Sequence, residues 1–328
     1  MVSDTITVAI VSDIHYASAA EQARGNDYEF RGLTNPFLRL FVRYHRRFIW
    51  LRDPLSHNYL LDRFIGEACK CNYAVANGDY SCNSASVGLS DDAACQSASE
   101  CLQKLRQAFG ARLNANFGDH ELGKISFVGG RGGMRLASWR RAIDELHLRP
   151  FWQFNVGNYV LLGLVSSLIA LPVFEPDCLP EERPEWERLR QKHFEEVRTA
   201  FAALHAKQRV LLFCHDPTAL PFLWHDEAIR ARVSQIEQTI IGHLHSKLIY
   251  WKSWLLSGMP RILFLGHTVK RLSTALREGR HWGPFRVRLC PALAGIELLK
   301  DGGFLTAELD PELLQPARFR FHPLPRTS

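Results

Sequence analysis

Five apolar runs in this sequence end at Asp or His, and that repetition restricts the fold more than any single motif does. Thr5 to Val11 (TITVAIV) reads as a buried strand leading to Asp13 and His15, and Tyr73 to Ala76 leads to Gly78-Asp79. Ala111 to Phe117 runs into Gly118-Asp119-His120-Glu121. Arg209 to Cys214 (RVLLFC) delivers His215, and Thr239 to Ile241 delivers Gly242-His243-Leu244-His245. In extended chain, positions i and i+2 face the same side, so Asp13 and His15 are expected to leave their strand together. Helical segments separate the first runs, and in such α/β patterns ligand groups gather beyond the carboxyl ends of the strands.

Asp13, His15, Asp79, Asp119, His120, His215, His243 and His245 are therefore candidates for one shared site. Buried carboxylates need partners, and metal ions suit a mixed set of carboxylate and imidazole donors. The set is large enough for two ions, with a shared carboxylate bridging them at about 3.5–4 Å. Magnesium takes mostly oxygen donors, whereas this many imidazoles favours manganese, iron, zinc or a mixed pair.

Periodicity and capping residues give helices over Asn58 to Lys70, Cys101 to Phe109, Ser138 to Leu146, Pro184 to Ala206, Trp224 to Glu237 and Trp251 to Ser257. Further strands are expected at Asn158 to Val165, Arg261 to Leu265 and Phe285 to Leu289. Gly295 to Leu299 and Phe304 to Leu309 read as two strands split by a hairpin-type turn at Asp301-Gly302-Gly303. Ser81 to Glu100 is small and polar and reads as loop or lid margin. No linker or repeat divides the chain, so residues 1–328 are expected to form a single domain with a C-terminal tail over 310–328.

Residues 17–59 form a long insertion after His15, basic and aromatic in character. Within it, Phe37, Leu40, Phe41, Tyr44 and Phe48 fall on one helical face, with Arg39, Arg43, Arg46 and Arg47 mostly elsewhere. One expectation is an amphipathic helix packed on the core with its arginines in solvent. The others are a basic cap over the site and a surface that touches anionic membrane through residues 36–52.

The formal charge of +6 favours an anionic substrate or surface without marking a nucleic-acid binder. The positive charge is clustered rather than drawn into a long stripe, which argues against nucleic acid. Eight cysteines in a chain of this length read as reduced thiols and point to the cytoplasm. The first strand begins too early for a cleaved signal peptide, and Tyr159 to Phe174 is too short to span a bilayer. The expected location is cytoplasmic, with peripheral membrane association as the second expectation. The run Gly129-Gly130-Arg131-Gly132-Gly133 lacks the order of a P-loop, and G-x-S-x-G does not occur. His267, which follows Gly266 after an apolar run, is a weaker candidate for substrate contact.

The motifs D-x-H (Asp13, His15), G-D (Gly78, Asp79), G-D-H-E (Gly118 to Glu121), a lone His215 and G-H-x-H (Gly242 to His245) follow one another over residues 5–250. This ordered set resembles the calcineurin-like metallophosphoesterase family of dinuclear metal-dependent phosphatases and phosphodiesterases. The resemblance implies an α/β, four-layer α-β-β-α sandwich: two mixed sheets packed face to face with flanking helices. It implies one metal held by Asp13, His15, Asp79 and His245, and a second held by Asp79 as bridge with Asp119, His215 and His243. His120 would contact the phosphate and protonate the leaving oxygen, its ring oriented by Glu121 or another carboxylate.

The implied reaction is hydrolysis of a phosphoester, with metal-bound hydroxide attacking phosphorus. The implied cofactors are two divalent or mixed-valence ions, manganese first and iron or zinc next. The basic aromatic segment extends the substrate to a phosphodiester or a nucleotide- or lipid-linked phosphate. A phosphomonoester, a cyclic nucleotide, and a non-catalytic metal-binding scaffold of the same fold are the alternatives. The chain departs from the family at Asp119, where Asn is usual. The added negative charge is expected to tighten metal binding and to lower the Lewis acidity felt by substrate.

Overall fold

β1 (Ile6–Val11) is buried along most of its length, and its alternation sends side chains into two different layers. Val8 and Ile10 pack between two sheets, while Ala9 and Val11 pack against helices. The computed structural model describes residues 5–30, 33–82, 86–124, 132–264 and 267–326.

In the first sheet β1 pairs in parallel with β2 (Tyr73–Ala76), and β2 in parallel with β3 (Leu113–Ala115). The second sheet is built from β4 (Trp152–Val156), β5 (Tyr159–Leu164), β6 (Arg209–Cys214), β7 (Ile236–Ile241) and β8 (Val287–Leu289). There β4 is antiparallel to β5, and the remaining neighbours are parallel. The first sheet is completed by β9 (Gly303–Leu309), antiparallel to β1, and by β10 (Arg318–Pro323), antiparallel to β9. The strand orders are β10-β9-β1-β2-β3 and β4-β5-β6-β7-β8.

The two sheets bury a shared core in which Val8, Ile10 and Val75 face Leu161, Leu211 and Phe213. Outside the first sheet lie the Tyr59–Ala68 and Asp92–Phe109 helices, which bury Leu60, Phe64, Leu102 and Leu105. Outside the second lie the Arg183–Ala202 and Leu220–His225 helices, which bury Phe194, Phe201 and Leu223. The result is the four-layer α-β-β-α sandwich.

Several local expectations are corrected. Ser81 to Glu100 is not loop throughout: Asp91 accepts from the Ala93 and Ala94 N–H groups and starts a helix at Asp92. The single helix expected over Trp224 to Glu237 is two short ones, Leu220–His225 and Glu227–Arg230, because Asp226 caps a new start and β7 begins at Ile236. Residues 295–299 form turns rather than a strand, so β9 takes its partners from β1 and β10 instead of a local hairpin. Arg261 to Phe264 is not strand either, and Leu265 lies outside the described residues. The tail supplies β10, whose Phe319 and Phe321 alternate with Arg318 and Arg320. Residues 129–131 of the glycine-rich turn lie outside the described residues.

The insertion is closed at its base. Asn58 Oδ1 accepts from Ala17 N at 2.8 Å, and Asn58 Nδ2 donates to the Ala17 carbonyl at 2.7 Å. Its Pro36–His45 helix, capped by Asn35, is not packed on the core: it has no buried residue, and its apolar side faces outward. Among the described residues the eight cysteines form no disulfide. Among the described residues no helix is long and apolar enough to cross a membrane.

Candidate metal centre

Loops at the ends of β1, β2, β3, β6 and β7 bring the eight Asp and His candidates for the shared site to one place. Asp13, His15, Asp79 and His245 form one group of converging donor atoms, and Asp119, His215 and His243 form a second. Asp79, Asp119 and His120 form a third group that joins them. Across the first group, His245 Nε2 lies 3.3 Å from Asp13 Oδ1 and 3.4 Å from His15 Nε2. In the second, Asp119 Oδ1 lies 2.9 Å from His243 Nδ1 and 3.3 Å from His215 Nε2. His215 Nε2 is also 3.3 Å from Asp79 Oδ2, so Asp79 stands between the two sets.

Strand alternation is not what places Asp13 beside His15. β1 ends at Val11, and Asp13, His15, Asp79, His243 and His245 all have φ between 50° and 59°, in the left-handed region. Such a conformation costs a non-glycine residue roughly 1–3 kcal/mol, and it persists where surrounding bonds enforce it. Here Asp13 N donates to the Gly78 carbonyl at 3.1 Å and His15 N to the Asp79 carbonyl at 3.0 Å. The glycines of the motifs permit the close approach. A Cβ on Gly118 would sit 2.1 Å from Asp79 Oδ1, and one on Gly242 would sit 2.4 Å from Asp13 Oδ2.

Backbone carbonyls fix the ring nitrogens. Ser81 O lies 3.1 Å from His15 Nδ1 and 2.9 Å from His120 Nδ1, and Asn77 O lies 2.5 Å from His215 Nδ1. With N–H at Nδ1 donating to these carbonyls, each Nε2 keeps a lone pair aimed into the cluster. His243 is turned the other way: Nδ1 faces Asp119, and Nε2 is 3.8 Å from Asp216 Oδ2. This arrangement, in which the outer nitrogen is held and the inner one presented, is the usual setting of metal-binding imidazoles.

Burial and mutual proximity shift the groups of the cluster in opposite directions. Burial and Asp119 push the Asp79 carboxyl up, but His120 and His215 outweigh them and hold it below the usual range. Burial drives the Asp13 carboxyl up despite His215. Burial pushes His245 well down, helped by His15 and Lys124. His120 is pulled down by burial to about 3 and is a neutral ring. Asp79 Oδ2 and His215 Nε2 are buried and complete no hydrogen bond among the described residues. Orphaned buried polar atoms are costly, and divalent cations would satisfy both. The donor set therefore fits two metal ions.

Glu121 does not orient His120; the Ser81 carbonyl does. Glu121 accepts instead from the N–H groups of Asp79 (3.0 Å), Tyr80 (2.9 Å) and Gly118 (2.7 Å), tying the two G-D loops together. Burial, with Asp79 adding to it, lifts its carboxyl to about 7.

Three residues without a role in the sequence reading join the site. Lys124 Nζ is 2.7 Å from Asp119 Oδ2. Asp216 backs His243, and its position directly after His215 was the available signal. Trp50 packs against His245, with ring centroids 4.7 Å apart and the rings tilted by 39°, bringing the end of the inserted segment against the first donor group. Nothing in the spacing of Lys124 or Trp50 marked them. The His267 side chain lies outside the described residues.

No family model matches the sequence, and a search of curated proteins finds no match. Two adjacent Asp/His clusters of this kind are consistent with a dinuclear metal centre poised for phosphoester hydrolysis, and they support metal-dependent hydrolase activity. The chain has a calcineurin-like metallophosphoesterase fold, in which two mixed β-sheets flanked by helices carry paired Asp/His metal-binding clusters.

Proposed function

We propose that the chain hydrolyses a phosphoester carrying an apolar arm, using Asp13, His15, Asp79 and His245 for one ion and Asp79, Asp119, His215 and His243 for the other. The observation that carries the hydrolase assignment is that Asp79, a member of the first donor group, lies 3.3 Å from His215 of the second, with its Oδ2 buried and without a hydrogen bond among the described residues. Two bound divalent ions would supply Lewis acidity and neutralise the charge that develops at phosphorus.

The chain's own groups do the rest. Lys124 adds a cation beside Asp119 that attracts an anionic ester. His120 Nε2 lies 3.6 Å from Asp79 Oδ2 at the edge of the donor groups. With Nδ1–H held by Ser81, this ring rests as a proton acceptor at Nε2, and it passes a proton to the leaving oxygen only after taking one up there. Trp50 walls the His245 side and limits water there. That wall supports an ester with a hydrocarbon or aromatic arm.

The test is hydrolysis of a panel of phosphomonoesters and phosphodiesters with added manganese, for the wild type and for Asp79→Ala. Metal-dependent turnover that prefers apolar esters and disappears in Asp79→Ala is the expected result. Turnover that survives the substitution overturns the site assignment. Turnover lost without any preference for apolar esters overturns the substrate assignment alone.

A further inference from the structure

The Pro36–His45 helix leaves Arg39 half-buried and keeps Arg43 at the surface, about half exposed. Arg43 pairs with Asp27, Arg46 Nη1 donates to the Asn26 carbonyl at 2.6 Å, and Arg39 Nη2 donates to the Leu33 carbonyl. The apolar side is held in solvent: Phe37 is 81% exposed, Leu40 67%, Phe41 64% and Tyr44 61%. Single exposed apolar residues are ordinary, but four on one helical face form a contact surface.

A second such surface follows the metal centre in sequence. The Lys247–Leu255 helix has no buried residue, and its Trp251 and Trp254 are each 56% exposed. Leu256, Leu263 and Phe264 continue the exposed apolar run. The two segments meet at the candidate metal centre. Trp50 ends the π-helical turn Arg46–Trp50 and packs against His245, and the residue after that histidine, Ser246, caps the second helix.

Charge selects the occupant. Residues 36–52 contain Arg39, Arg43, Arg46, Arg47 and Arg52, residues 247–264 contain Lys247, Lys252 and Arg261, and neither stretch contains Asp or Glu. A second copy of this face would set cation against cation, which opposes association. A bilayer with anionic headgroups accepts both components: tryptophan and phenylalanine at the interface, and basic side chains among the phosphates.

We propose that these two segments dock the protein on an anionic phospholipid bilayer and hold the mouth of the metal centre at the headgroup layer. Docking is independent of the phosphoesterase proposal; the placement of the metal centre toward a membrane-borne ester rests on it.

The experiment is co-sedimentation of the full chain, in chelator, with phosphatidylcholine vesicles prepared with and without phosphatidylglycerol. Binding to the anionic vesicles, weakened by salt, is expected. Phe37→Ser/Phe41→Ser and Trp251→Ser/Trp254→Ser should each lower it by about tenfold or more, with unchanged circular dichroism and unchanged turnover of a soluble ester. Asp79→Ala should bind vesicles as the wild type does, so a failure of catalysis is separable from a failure of docking. Absence of vesicle binding, or binding untouched by both double variants, overturns the proposal. So does a wild type that is dimeric in solution and becomes monomeric in either double variant, which would assign the surface to a second copy.

Discussion

Lys124 Nζ lies 2.7 Å from Asp119 Oδ2, so the carboxylate that stands where asparagine is usual has its own counter-ion. Burial pushes the Asp119 carboxyl up, but Lys124 and His243 outweigh it and hold the group well below the usual range. The sequence alone suggested that Asp119 would strengthen metal binding by one negative charge. The lysine changes that expectation, because an Asp–Lys pair presents about the same net charge to a metal as a neutral amide.

Asp119→Asn is therefore expected to weaken manganese binding by roughly 10- to 100-fold, or about 1.4–2.8 kcal/mol, because it leaves the Lys124 cation facing the ions. Lys124→Met should tighten binding, and the double variant should return close to wild type. Isothermal titration calorimetry of all four proteins measures the cycle. Tighter binding by Asp119→Asn would refute the counter-ion role.

His243 gives a proton-linked prediction. Burial opposes its charge, but Asp216 and Asp119 overcome burial and lift the ring to about 9. A metal at Nδ1 needs the neutral ring, so loading the second donor group should release a proton below that pH. The sign follows from the raised value. In the metal-free protein the charged ring contributes stability that is full below the ordinary value of 6.5 and is lost as pH rises through about 9. Metal affinity should rise over the same window. Titrations in buffers of different ionisation enthalpy count the proton, and Asp216→Asn should reduce the count and lower affinity by about 10- to 100-fold. Equal heats in all buffers would contradict the assignment.

Gly242→Ala tests the close packing of the first donor group. The added Cβ would lie 2.0 Å from Ser12 Oγ and 2.4 Å from Asp13 Oδ2, and both belong to the loop that presents Asp13. Overpacking of this kind costs about 1–3 kcal/mol, so thermal stability and metal binding should both fall. Gly66→Ala is the control: that glycine is helical with nothing within 4 Å of a new Cβ, and the substitution should be neutral or stabilising by up to about 1 kcal/mol.

The ligands were legible because apolar runs ending in Asp or His are a one-dimensional trace of strand ends. The reason Asp13 and His15 converge was not legible, since it depends on left-handed backbone held by the Gly78 and Asp79 carbonyls from a different strand. β10 was hidden in a tail that looked irregular, although Arg318-Phe319-Arg320-Phe321 alternates; an edge strand needs a partner, and its pairing with β9 is known only from the fold. The spacing of Phe37, Leu40, Phe41, Tyr44 and Phe48 marks the apolar stripe but not its direction. Periodicity cannot tell a stripe that packs inward from one that Arg39, Arg43 and Arg46 hold outward. Lys124 was silent because a salt bridge to Asp119 leaves no sequence signature.

A last prediction concerns a histidine outside the donor groups. His193 is buried, and its Nε2 accepts from Val165 N at 3.0 Å, which requires that nitrogen to be unprotonated. Val165 leads into Ser166, whose Oγ accepts from Asp216 N at 3.1 Å, so the contact supports the loop behind His243. Burial lowers the His193 pKa from its ordinary 6.5, against the pull of Glu196. Below 6.5 the unfolded chain takes up a proton that the folded chain resists. Stability contributed by the neutral ring is thus full above 6.5 and is lost as pH falls through the lower folded-state value. Thermal midpoints of the metal-free protein should decline between neutral and mildly acidic pH. His193→Gln, which keeps an acceptor for Val165 N but cannot titrate, should flatten that decline at some cost in stability at neutral pH. Parallel slopes for wild type and His193→Gln would show that other groups carry the dependence, because only the histidine variant removes the proton uptake that drives it.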